Sequence, residues 1–414
     1  NVTTPLDRPK RKDPLERTQL PTRPPDGRSR EALGLISVAG QAEFKLQTCE
    51  ACGAVQYPPR QLCHRCLSPD IPWTAQSDRG TMLAETTLHH SNDVYFRERL
   101  PWRLGLVQLD CGPSVVAHVM EDCEPGGRVK MSIKLDRSSR AVMLAMPEAR
   151  GKNMEDDLQL RETTCDPKLR RVLISNAKTT VGLGLAQAML EAGARVLFLG
   201  NPDPWKRSAE FDALAARPEA EVFHLDVSDS DSVHEVAGQI GSKVDILINS
   251  SYHIRPGGVV SRRDVNDPRN EMDVNYLGLL RLAKEFGPVM RARGADGDFG
   301  ACAWVNILSI YALVNNPTLA TYSASQAAAL SLSQGLRNEL AEGGIKVINV
   351  FPGPIEDEWQ QLFPPPKVTP EALSRAVLTA LRDGAEDVYP GAVAEETIAR
   401  LRENPKEVER ELNL

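Results

Sequence analysis

No apolar run in these 414 residues reaches the ~18 that a membrane-spanning helix needs, and no leader pattern is visible at the start. A cytoplasmic protein without a membrane partner is therefore expected. The chain opens on Asn1 rather than Met, so a preceding segment is expected to have been removed. Positive charge is not in excess. With 49 Lys and Arg against 56 Asp and Glu, the net charge of −7 argues against a broad nucleic-acid-binding face. Disulfides are also disfavoured: of eight cysteines, four fall in two Cys-x-x-Cys units, a spacing that in a cytoplasmic chain favours metal. What remains is the composition of a soluble globular chain, 41% hydrophobic and 25% charged, long enough for two or more domains with separate cores.

Residues 1–35 are rich in Pro, Arg, Lys and Asp and read as a disordered tail, because they hold too little apolar surface to offset the entropy of ordering. Its basic patch is Arg8, Lys10, Arg11 and Lys12. Residues 36–75 contain Cys49, Cys52, Cys63 and Cys66 in the pattern Cys-x2-Cys-x10-Cys-x2-Cys. Two tight turns at that spacing point four thiolates at one tetrahedral Zn²⁺, and four thiolates leave no open position, so the site is structural. His64 reads as a surface residue. Cys111, Cys123, Cys165 and Cys302 read as incidental thiols. Residues 76–147 alternate apolar and polar in short runs (80–88, 104–109, 114–119, 128–135) with Gly112-Pro113 and Gly126-Gly127 as turns, which predicts a small OB-type β-barrel. Tyr95, Phe96 and Trp102, beside Arg97, Arg99 and Arg103, are the candidates for a stacking platform. They read as core or interface in an acidic chain. Residues 148–168 are polar and without period, hence a linker.

From residue 169 to 392, strand patterns (171–174, 195–199, 221–225, 244–248, 304–308, 346–351) alternate with helical ones. That order predicts a Rossmann-type, doubly wound parallel sheet with a ligand cleft at its carboxyl edge. Residues 393–414 read as a charged terminal helix. Within this part Ser309 and Tyr322 lie thirteen positions apart and Gln326 one helical turn later, in the run S-I-Y-A-L-V-N-N-P-T-L-A-T-Y-S-A-S-Q.

That layout resembles the short-chain dehydrogenase/reductase family, in which a Ser is followed thirteen residues later by YxxxK. The stretches D-V-N-Y-L-G with Asn275, L-D-V with Asp226 and Pro352-Gly353 fit as well. The resemblance implies roles: Ser309 orients a substrate oxygen, Tyr322 exchanges a proton, and Asn275 completes the set. Gln326 stands where a lysine would lower the phenol pKa, a help of about 1–3 units. The family's TGxxxGxG corresponds to Ser175, Asn176, Thr180 and Gly182, with a register shifted onto Gly182 and Gly184 as the alternative. Asn176 tolerates a left-handed turn, whereas the Thr180 side chain occupies room meant for the cofactor's phosphates. Asn249-Ser250-Ser251-Tyr252 puts a ring where the family writes glycine, and Gly200-Asn201-Pro202 offers no acid for the ribose. Pro364-Pro365-Pro366 stiffens the loop that would cover a substrate. The resemblance implies NAD(P), and these replacements argue against it.

The segment from 44 to 147 resembles the zinc-ribbon/OB-fold family associated with acyl-CoA enzymes. The likeness rests on C-x-x-C-G-x-x-Q-Y-P-P-R, the second C-x-x-C, Gly80-Thr81, Leu100-Pro101 and Gly126-Gly127. It implies a thiolase-like partner. Together the two likenesses predict a pseudoenzyme component of a β-oxidation-type complex. Its dehydrogenase-like part would pair with an active 3-hydroxyacyl-CoA dehydrogenase, or with itself, through helices near 271–292 and 322–342. The alternatives are a working NAD(P)-dependent oxidoreductase of 3-hydroxyacyl- or 3-ketoacyl-CoA using Ser309 and Tyr322, and nucleic-acid binding by ribbon and barrel.

Overall fold

The structure, a computed structural model, describes residues 5, 23–24, 30–149, 151, 153–294, 300–361 and 363–412. Most of the expected tail lies outside these. Its end, however, is helical: α1 (Leu33–Gly40) is preceded by a 3-10 turn at Arg30–Ala32 and buries Leu35, Val38 and Ala39. The chain divides into two compact units, chiefly up to Asp166 and from Pro167 onward.

In the first unit, β1 (Lys45–Thr48) pairs antiparallel with β2 (Val55–Gln56) and β3 (Trp73–Ala75). The predicted barrel follows as five strands closed in the order β4-β5-β6-β8-β7. They are β4 (Arg79–Leu88), β5 (Trp102–Leu109), β6 (Ser114–Val119), β7 (Arg128–Leu135) and β8 (Ala141–Pro147). Alternation along β6 sends Val115, Ala117 and Val119 inward, as the two-residue period of a pleated strand requires. A short helix α2 (Val94–Arg97) lies between β4 and β5.

The polar stretch expected to be a linker has structure of its own. It folds into a 3-10 turn (Met154–Asp156) and helix α3 (Leu158–Thr163), capped by the Asp157 carboxylate accepting from the Leu160 N–H. Periodicity failed there because the helix buries polar groups instead of an apolar stripe. Glu162 binds Arg99 at 3.1 Å and Arg137 at 3.0 Å, and Gln159 exchanges two hydrogen bonds with the Arg103 backbone. Tyr95 and Trp102 are buried, and Arg99 and Arg103 are paired with Glu162 and Glu85. The stacking platform is thus absent among the described residues.

The second unit is a seven-stranded parallel sheet, ordered β11-β10-β9-β12-β13-β14-β15. Its strands are β9 (Arg171–Ile174), β10 (Val196–Gly200), β11 (Ala220–Phe223), β12 (Ile246–Asn249), β13 (Ala303–Ile307), β14 (Lys346–Val350) and β15 (Asp387–Val388). The central strands β12, β13 and β14 are buried along their whole length, as expected for a sheet covered on both faces. The two asparagines in β13 and β14 are satisfied there: Asn306 donates to Ser333 Oγ (3.0 Å) and Asn349 Oδ1 (3.2 Å), and accepts from Trp304 Nε1 (2.8 Å).

The covering helices are α4 (Thr180–Glu191), α5 (Ala209–Ala215), α6 (Ser230–Ile240), α7 (Asn266–Met272), α8 (Gly278–Arg293), α9 (Ala320–Ala341) and α10 (Pro370–Asp383). In α10 the buried Leu373, Val377, Ala380 and Leu381 repeat at helical spacing. The single terminal helix is in fact two, α11 (Ala392–Glu403) and α12 (Pro405–Glu411), because Asn404 caps the second and Pro405 starts it.

Candidate functional site

In the first unit the four predicted ligands converge: the sulfurs of Cys49, Cys52, Cys63 and Cys66 all lie within 4.8 Å of one another. Each cysteine is a free thiol. The N–H groups of Cys66 and then Arg65 pull the Cys63 thiol down to about 6, whereas against the Ser68 N–H the sulfurs of Cys49, Cys52 and Cys63 hold the Cys66 thiol up, so one thiolate is favoured and further negative charge is opposed until a cation joins. Two buried glutamines, not singled out from the sequence, brace the loop between the cysteine pairs. Gln47 donates to Arg60 O (2.9 Å) and accepts the Arg60 N–H (2.8 Å), and Gln56 accepts the His64 N–H (2.9 Å) and donates to Gln47 Oε1 (3.0 Å). His64 is exposed. The donor set fits one tetrahedral Zn²⁺ of structural type.

In the second unit the cleft lies at the carboxyl ends of β9, β10, β12, β13 and β14, where a doubly wound sheet places ligands. Gly182, common to both glycine registers, is a point of close packing. A Cβ there would sit 2.1 Å from the Asn176 carbonyl oxygen, whereas one on Gly184 would meet Ser374 and Pro370. Thr179 caps α4 by accepting the Gly182 N–H at 3.0 Å, leaving Thr180 as the first helical residue. Asn176 is not left-handed; this is a correction, and its side chain instead accepts the Lys178 N–H at 3.3 Å. Gly200 is required by packing, since a Cβ would lie 2.1 Å from Ser175 O. Ser175 donates to Asn249 Oδ1 (3.1 Å) and bonds Ser251 Oγ (2.8 Å), and Asp226 is used by the Ser228 N–H (2.9 Å) and hydroxyl (2.7 Å).

Each of the four residues expected to form a catalytic set is engaged or altered. Ser309, at the end of β13, accepts the Tyr311 N–H at 3.2 Å. Tyr322, on the first turn of α9, is 5% exposed. Burial pushes its phenol up, the Ser309 hydroxyl pulls it back, and Asp357, Tyr311 and Glu271 add to the rise. Asn275 sits in a π-helical turn (Asp273–Leu277), accepting the His253 N–H (2.7 Å) and donating to His253 O and Ser325 Oγ (2.8 Å each). Its amide ties the loop after β12 to α9. Gln326 is 2% exposed, and its Oε1 has no hydrogen-bond partner among the described residues.

Three acidic residues escaped the sequence reading. Glu271 is fully buried and accepts from the Arg255 N–H (3.0 Å) and Thr321 hydroxyl (2.6 Å). Asp357 accepts the Tyr252 hydroxyl. Glu358 accepts the Thr180 hydroxyl at 2.7 Å. The sequence signal for the last two is the acidic run E-D-E just after Pro352-Gly353-Pro354-Ile355.

Comparison with known proteins agrees with this architecture. Residues 170–365 match the short chain dehydrogenase family, residues 73–134 the C-terminal OB-fold domain of ChsH2, and residues 38–72 its rubredoxin-like zinc ribbon domain. A short chain dehydrogenase from Burkholderia cenocepacia, solved in complex with NADP, is 33% identical with a TM-score of 0.52, over 59% of this chain and 97% of that one. An uncharacterized oxidoreductase of Staphylococcus aureus is 29% identical over 216 residues, 50% of this chain and 89% of its own length. One from Mycobacterium tuberculosis is 28% identical over 250 residues, 58% and 69% of the two.

Proposed function

We propose, for a chain that belongs to the short-chain dehydrogenase family and carries ChsH2-type zinc-ribbon and OB-fold domains ahead of that part, a non-catalytic or weakly catalytic role in an acyl-CoA enzyme complex of the β-oxidation type. One observation carries the reading. The buried Tyr322 has Gln326, whose Oε1 lacks a partner among the described residues, where its activating ammonium should be, and burial raises its pKa, with the Asp357 and Glu271 carboxylates and Tyr311 adding to the rise. A phenol above its ordinary value of about 10 holds its proton at neutral pH. The cleft does not fit a nicotinamide dinucleotide: the Tyr252 ring stands for a glycine, and the Thr180 hydroxyl is spent on Glu358.

In this role the zinc ribbon and barrel dock a thiolase-like enzyme. Leu106 and Val116, register partners on β5 and β6, and Leu83 on β4 form an exposed apolar stripe suited to it. The dehydrogenase-like part pairs with an active 3-hydroxyacyl-CoA dehydrogenase of the same fold along α8 and α9. A groove of about 750 Å³ runs there past Leu280, Gly287, Leu332 and Gly335. Holding both enzymes on one chain raises the local concentration of their shared intermediate.

The test is turnover by the purified chain alone. A 3-hydroxyacyl-CoA with NAD is expected to give no oxidation, and a rate of about 1 s⁻¹ or more would refute the role. The second reading, an active oxidoreductase, is favoured by Ser309 standing close enough to Tyr322 to draw its phenol pKa downward. It predicts calorimetric binding of NADH or NADPH. Co-purification from the source would separate an active partner subunit from self-pairing.

A further inference from the structure

The segment 355–360, which follows β14 and Gly353, lies over the cleft and is held there by the chain's own groups. The Asp357 carboxylate accepts the N–H groups of Trp359 (3.0 Å) and Gln360 (2.9 Å) as well as the Tyr252 hydroxyl. Gln360 Oε1 accepts the Ile355 N–H (3.1 Å), and Lys367 donates to the Gln360 carbonyl (2.8 Å). The Arg255 guanidinium stands 4.7 Å from the Trp359 ring. At the far end Glu358 accepts the Thr180 hydroxyl at 2.7 Å, on the first turn of the twelve-residue helix α4.

The first turn of a helix carries unpaired N–H groups and the positive end of the helix dipole, so it attracts an anion. In a dinucleotide-binding sheet that anion is a pyrophosphate. Here the Glu358 carboxylate stands at that turn, bonded to the Thr180 hydroxyl, and a second one, Asp357, is fixed next to it in the chain. A phosphate-bearing ligand would meet two like charges and lose the hydroxyl donor of Thr180.

Given the reading that the family's cofactor is not bound, we infer that segment 355–360 is a built-in occupant of the cofactor cleft. Glu358 takes the place of a phosphate at α4, and the Asp357–Tyr252 hydrogen bond bolts the ring-binding end. The segment, and not only the altered glycine motif, excludes nucleotides.

The experiment titrates inorganic pyrophosphate and NADH into wild type, Glu358→Ala and Asp357→Asn/Glu358→Ala by calorimetry. Glu358 is exposed, so its truncation leaves the core intact; matched near-UV circular dichroism and melting verify this. The wild type is expected to show no pyrophosphate binding up to about 10 mM, and Glu358→Ala to bind at least about tenfold more tightly. Faster amide exchange across 355–360 in Tyr252→Phe is the expected companion result. The inference is overturned if folded variants bind pyrophosphate no better than wild type, while the proposed function then stands on Gln326 and Tyr252. Wild-type binding of NADH would sink the proposed function itself.

Discussion

In the ribbon, four thiols converge with every donor present; in the cleft, the positions that would touch a dinucleotide carry a threonine, a tyrosine and a glutamine. The two sites relate differently to the fold around them. A structural metal supplies folding free energy to a small domain with little core, so its ligands and the stability of the ribbon are the same thing. The cleft lies at the edge of a sheet whose interior is closed without it. Leu173, Phe198, Leu247 and Trp304 are buried whatever the cleft contains. Its residues can therefore change with little cost to the sheet.

The comparison breaks first at the metal. Chelation, or Cys63→Ser, should abolish zinc binding and unfold the ribbon, a loss on the order of 10 kcal/mol. Metal analysis with thermal melting checks this; a ribbon that melts unchanged without zinc would mean that its core suffices. Asn275 is a cleft residue tied to the scaffold: its amide makes three hydrogen bonds, to His253 and Ser325. Asn275→Ala should cost about 2–4 kcal/mol in denaturant titration, since His253 and Ser325 lose partners. A neutral result would place Asn275 with the dispensable residues.

Gln326→Lys should lower the Tyr322 phenol by about 1–3 units, read from phenolate absorbance. It should restore no dehydrogenase turnover, because Tyr252 and Glu358 remain in the way. If this one change brought activity, the altered cleft would reduce to a single missing charge.

A further effect is shared by both units. Burial raises the phenols of Tyr95, Tyr252 and Tyr322, and a nearby carboxylate, Glu162 or Asp357, pushes the same way. An unfolded chain ionises them near pH 10, while the folded chain keeps their protons. Stability from these groups is therefore complete below that pH and falls above it, by about 1.4 kcal/mol per pH unit for each tyrosine. Stability that stayed flat between about pH 9 and 11 would show that these phenols are not held as the structure places them.

Much of this was legible along the chain. The two Cys-x-x-Cys units located the metal centre because metal geometry constrains ligand spacing within a short loop. The barrel and the sheet were legible from the period of their apolar residues. Helix α3 was not, because its buried face is built of Gln159, Arg161 and Glu162, and a polar face bonded to partners far along the chain has no period to detect.

By itself, the order of residues determined the zinc ligands, the fold classes and which cofactor positions depart from the family pattern, since each depends on local spacing or on residue type. Only the tertiary structure decided what occupies the altered cleft. Glu358 and Thr180 are 178 positions apart, and Asp357 and Tyr252 are 105 apart. The physical reason is that a parallel sheet gathers the ends of distant strands at one edge. Whether a carboxylate there faces solvent or a helix N-terminus is set by how the intervening strands and helices pack.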